Sequence, residues 1–203
     1  MKKIWKRIGI CLLAVVVLCA FAVLRDREYL NRELIRLHVV ANSDSEEDQA
    51  LKLQVRDAVL ESLNEDLANV GDVEAAKAYL RENLPKLQSV ANRTLEKAGV
   101  DSRAVVSLCR ETFDIRRYDT FSLPSGVYES LRIVIGEGEG HNWWCVAFPT
   151  LCLSATTEGF EEAAETAGMG GSLTRTLSNG EDCSVRFFLL DVLGKAENLC
   201  FQK

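Results

Sequence analysis

Residues 8–24, IGICLLAVVVLCAFAVL, form an apolar run without a charge, and Arg25, Asp26, Arg27 and Glu28 end it. As a helix the run would be about 26 Å long, close to the ~30 Å hydrocarbon layer. Next comes ELIRLHVVAN, residues 33–42, where polar and apolar positions alternate. Ile35, Leu37, Val39 and Ala41 share an apolar face, and Leu34, Arg36, His38 and Val40 a mixed one, which predicts a strand. From Ser45 the period lengthens. Ala50, Leu51, Val55, Ala58, Val59 and Leu63 recur at helical spacing. Ser45 with Asp48 has capping-box spacing, and Ser43 with Glu46 competes for the same role. NVGD at 69–72 breaks this helix. Asp72 then caps a second one, and Pro85 either starts a third or kinks the second. Gly99 ends the helical region.

Beyond Gly99 the pattern is extended. Residues 104–113, 127–136 and 142–149 read as strands, with LPSG and GEGEGH as turns, so an antiparallel meander is expected. GFEEAAETAG at 159–168 predicts a short helix, and MGGSL a mobile loop. SVRFFLL predicts a strand over 184–190, followed by a short helix weakened by Gly194. One strand, two or three helices and several strands make an α+β fold, with helices packed on one face of a mainly antiparallel sheet. One domain, residues 25–203, suffices after an export segment at 1–24.

Charge sharpens the picture of the N-terminus. The net charge is −6, yet MKKIWKRI carries Lys2, Lys3, Lys6 and Arg7 and no acid; without those four, 20 bases face 30 acids. A basic end before an apolar core is an export signal, cleaved after Ala22 at AFA or retained as an anchor. Either way residues 25–203 lie outside the cytoplasm, and their acidity argues against nucleic acid.

The candidate chemistry is sparse. His38, Ser43 and Asp44 suggest a hydrolase set, but an extended chain puts Ser43 about 16 Å from His38. There is no G-x-S-x-G elbow, and a capped turn explains the same residues. GEGEGHNWWC lacks dinucleotide spacing and leads into a strand. Glu137, Glu139 and His141 are a weak metal set, so neither metal nor cofactor is expected. A Cys145–His141 nucleophile pair fails because extended chain separates them by about 13 Å. Trp143 and Trp144 should face opposite sides of a strand, which leaves one for solvent or a partner. Cys145 and Cys152 flank VAFPTL, where Pro149 bends the chain, and a disulfide between them is expected outside the cytoplasm; two buried thiols are the alternative. The exported part holds five cysteines, an odd number, and Cys109, Cys183 and Cys200 stay unassigned.

LIRLHVVANSDSEEDQALKLQVRDAVL, YDTFSLPSGVYESLRIVIGEGEGHNWWCVAFPTLCL and VRFFLLD resemble the stage II sporulation protein R family of endospore-forming Firmicutes. The resemblance runs in order from Leu34 to Asp191. It departs at Thr150, where the family usually has a second proline. It implies a signal, not an enzyme. Such a protein is made in the forespore and exported into the space facing the mother cell. There it activates a membrane-embedded aspartic protease that processes the precursor of sigma E. Asn42, Ser43, Asp44 and the exposed member of Trp143/Trp144 are then the expected partner contacts. The rival readings are an exported hydrolase using His38 or His141 and a structural protein of the spore envelope.

Overall fold

The computed structural model describes residues 2–67, 70, 72–118, 120–149, 164–165, 168–169, 171–178 and 184–201. Helix α1, Lys2–Glu33, holds the apolar run and continues unbroken through the charges that follow it. It is long and apolar enough to cross a membrane. Its apolar side chains from Ile4 to Phe21 are exposed, whereas Val23 and Leu30 are buried in the folded domain. The last turns of α1 are therefore structural parts of the domain.

Strand β1, Ile35–Val40, follows directly. Helix α2, Glu46–Leu67, starts as its acidic first turn predicts, and α3 runs Val73–Lys97. Ser45 wins the competition for the first cap: its Oγ accepts the Asp48 N–H at 3.1 Å. Asp72 caps α3 by accepting the Ala75 N–H at 2.8 Å. Pro85 lies inside α3 on an exposed position, so there is one helix where two were open. At its end Gly99 N donates to Glu96 O and Val100 N to Leu95 O, the paired bonds of a Schellman motif.

Strands β2 (Ala104–Phe113), β5 (Gly126–Ile135) and β6 (Asn142–Phe148) match the expected spans closely. Between β2 and β5, β3 (Arg116–Arg117) and β4 (Ser122–Leu123) form a short antiparallel ladder that the sequence pattern does not announce. The sheet order is β2–β5–β1–β6. β2 and β6 run antiparallel to their neighbours, but β1 lies parallel to β5 and between β5 and β6. This corrects the meander, because β1 has entered its middle. All six residues of β1 are buried, Arg36 and His38 among them, and a strand buried on both faces takes a central place.

Helices cover both faces, not one. On the first, Ile35, Leu37, Val39, Leu131, Ile133 and Ile135 meet α2 and α3. On the second, Leu30 and Leu34 pack with Phe113, Tyr128, Leu123 and two further helices. These are α4, Gly171–Leu177, and α5, Ser184–Phe201. Both correct sequence expectations. MGGSL is not a loop throughout, since α4 begins at Gly171 and buries Leu173 and Leu177. SVRFFLL is helical because Leu190, Asp191, Gly194 and Asn198 turn to one side and dock. Strand propensity loses to that packing. Of the helix expected at 159–168, Ala164 and Glu165 are helical and most of the rest lies outside the described residues.

Candidate functional site

Two polar clusters flank one end of β1. The first lies on the second sheet face, where Ser107, Arg132, His38 and Trp144 line up across all four strands. His38 Nδ1 meets both Glu111 carboxylate oxygens, at 3.1 and 3.0 Å, and Nε2 lies 2.8 Å from Asn142 Oδ1. Its ring stacks on Trp144 with centroids 5.6 Å apart, and the Arg116 guanidinium sits 3.4 Å from the Trp144 ring centroid. Burial pushes the Glu111 carboxyl up, but the hydrogen bond with His38 and the nearby bases outweigh it and hold it below the usual range. Burial, reinforced by Glu111, pushes the Cys109 thiol up, which makes it a poor nucleophile.

One row deeper lies Arg36, with 0 % of its surface exposed. Its Nε donates to Cys145 O at 3.0 Å and its Nη2 to Tyr118 Oη at 3.0 Å, while the guanidinium lies 4.4 Å from the Phe113 ring centroid. Neutral acceptors and aromatic faces thus hold a buried cation. Sequence reasoning passed over Arg36, Glu111, Asn142 and Arg116. The signal it had was LIRLHVV, in which two basic side chains share one face of an otherwise apolar strand.

The second cluster is the corner where the ANSD turn meets the GEGEGH turn. The sequence could not say whether these runs share a surface, and the structure locks them together. Asn42 Oδ1 accepts the Glu137 N–H at 3.1 Å, and its Nδ2 donates to Asp48 Oδ2 at 2.9 Å. Ser43 Oγ donates to the same Asp48 oxygen at 2.5 Å. Asp44 accepts the His141 N–H at 2.6 Å and pairs with His141 Nδ1. Backbone bonds from Glu139 N to Asn42 O and from Gly140 N to Ala41 O complete the tie. Gly136 has φ +57, and a Cβ there would lie 2.1 Å from Asn42 Oδ1, so both conformation and contact call for glycine. Lys52 Nζ reaches His141 O at 2.9 Å, and burial lowers its pKa. The Ser43 hydrogen bond, then that of Asn42, holds the Asp48 carboxyl below its ordinary value.

The expected site residues thus split. Asn42, Ser43 and Asp44 are together, and the first two are engaged inside the corner. His38, Ser43 and Asp44 do not assemble as a hydrolase set: His38 belongs to Glu111 and Asn142, Ser43 to Asp48, and Asp44 to His141. Trp143 and Trp144 do face opposite sides, but neither is core. Trp143 is 38 % exposed with Arg56 stacked 4.4 Å over it, and Trp144 is half-buried on His38. Among the described residues no group of His, Cys, Asp and Glu could hold a metal ion. Cys145 is buried; Cys152 and Cys183 lie outside the described residues, and Cys109 and Cys200 are free.

Both clusters fall inside the stretch that a family model matches, residues 31–158, described as stage II sporulation protein R. The chain belongs to this family. It is similar to stage II sporulation protein R of Bacillus subtilis strain 168, at 37 % identity over 127 residues. That stretch is 63 % of this chain and 57 % of the relative, so the likeness spans little more than half of the relative's length. No solved structure matches. The family region thus contains the sheet, α2, α3, the His38 cluster and the corner, while the apolar run of α1 and the helices α4 and α5 lie outside it.

Proposed function

We propose that this protein is an exported sporulation signal that activates a membrane-embedded aspartic protease of the mother cell, leading to processing of the sigma E precursor. Family membership across residues 31–158 carries this reading. The N-terminal helix fits export, or anchoring in the membrane facing the mother cell. The space between forespore and mother-cell membranes is then where the domain acts. Activation needs only that the domain bind one state of the protease better than another, for instance its dimer. The corner offers a contact surface of defined shape: Asp44 and His141 are exposed, and Trp143 lies beside them under Arg56. A rigid polar turn next to an accessible tryptophan suits partner recognition. We also pair Cys145 with Cys152, which an exported domain permits; the other described cysteines are free.

The hydrolase reading is disfavoured by the pairing of Ser43 with Asp48 and of His38 with Glu111, which leaves neither hydroxyl nor imidazole poised on the other. The test combines the purified chain with membranes holding the candidate protease and its precursor. Processing that requires both proteins is expected, and substoichiometric amounts of chain should suffice, unlike a scaffold of the spore envelope. Processing by the chain alone would make it the enzyme. Loss of processing in Trp143→Ala with unchanged folding would place the contact at the corner.

A further inference from the structure

The C-terminal helix α5 shows solvent an apolar stripe that the fold leaves uncovered. Val185, Phe188, Leu189, Val192 and Leu199 are exposed, Phe188 by 62 %, at helical spacing along one side. The opposite side docks. Asp191 accepts from Ser125 N at 2.9 Å and Ser125 Oγ at 2.6 Å, just before β5. Asn198 Nδ2 donates to Phe113 O at 2.9 Å, at the end of β2. So α5 passes beneath two strand ends, at the end of the sheet where α1 delivers the chain into β1.

Its position along α1 is specific. Arg186 pairs with Asp26, Arg27 donates to Leu190 O at 3.2 Å, and Glu197 pairs with Arg27 and Asn31. Asp26 lies about 3 Å beyond the apolar run at 1.5 Å per residue. From Arg186 to Glu197, α5 advances ~16 Å, while its partners on α1 advance only ~8 Å, from Asp26 to Asn31. The helix is thus strongly inclined to α1, and it starts level with the end of the apolar run. Val23, the last apolar residue but one of that run, is already buried in the same cluster as Leu190 and Leu173.

From this continuity we infer that the exposed face of α5 lies on the lipid surface from which α1 emerges. A helix strongly inclined to the membrane normal, with Phe, Leu and Val on its outer side, has the character of an interfacial helix. The inference rests on the retained-anchor form of the proposed function. Its consequence is orientation: lipid contact at α5 would hold the corner of Asp44, His141 and Trp143 at the opposite end of β1, towards the facing membrane.

Photocross-linking tests this on the full chain in vesicles of phosphatidylglycerol and phosphatidylethanolamine, with and without the candidate protease. The probe p-benzoylphenylalanine replaces Leu13, Phe188, Val192 or Glu137 in turn, all exposed positions, so packing is kept. Lipid adducts from positions 188 and 192 should exceed those from 137 on the order of tenfold, as for interfacial against aqueous sites. Lipid adducts at 13 but not at 188 would overturn the inference and spare the anchor. No lipid adduct at any position would overturn both. Adducts at 188 to a second copy of the chain or to the protease, in place of lipid, would likewise overturn it.

Discussion

Glu111 is where a single residue makes stability depend on pH. Its carboxyl is held below the ordinary range in the fold, so its contribution is complete above the unfolded-state value of about 4.3 and lost as pH falls through the lower folded value. Denaturation midpoints should therefore fall as pH drops below about 5, and the slope should flatten in Glu111→Gln. His38→Ala would leave that half-buried carboxylate short of a donor, at a cost of about 1–3 kcal/mol. Arg36 is the more severe position. Arg36→Ala removes both hydrogen bonds and a large buried volume, and chemical denaturation should show a loss of about 3–5 kcal/mol. Arg36→Met keeps most of that volume without a charge to bury, so its loss should be clearly smaller.

Elements differ in how much strain they carry. Pro85 sits in the interior of α3, where it removes one helical hydrogen bond, yet its position is exposed. Pro85→Ala should stabilise the protein by about 1–3 kcal/mol, read as a rise in denaturation midpoint. Gly194 works in the opposite sense. By helix propensity it weakens α5, but a Cβ there would stand 1.6 Å from Ser125 O. The glycine lets α5 press against the start of β5, so Gly194→Ala should destabilise despite its better propensity. Hydrogen exchange should show protection lost first along α5. The same close approach explains why a weak helix signal in the sequence became a long helix in the fold.

For the whole molecule, the decisive question is where the domain begins. Leu30 and Leu34 are fully buried, and Asp26 and Arg27 pair with Arg186 and Glu197. A chain that begins at residue 23, as cleavage after Ala22 would leave it, keeps all of these contacts. A chain that begins at residue 34 loses the two ion pairs and the Leu30 packing, and should unfold at distinctly lower denaturant or lose cooperativity. The two truncations, compared by urea titration, separate export helix from domain helix.

Local pattern determined much of this protein by itself. The apolar run, the capped starts at Ser45 and Asp72, and the spans of β2, β5 and β6 all follow from spacing within a few neighbouring residues, because helix and strand periods are local properties. Tertiary structure alone decided what depends on distant partners. β1 inserted between β5 and β6 because both its faces could be buried, and α5 became a helix because Leu190, Asp191, Gly194 and Asn198 find their partners only across the fold. His38 and Glu111 meet because β1 and β2 flank the same strand. The lock between Asn42 and Glu137 forms for the same kind of reason: β1 and β5 run parallel and end side by side, which no stretch of either run records.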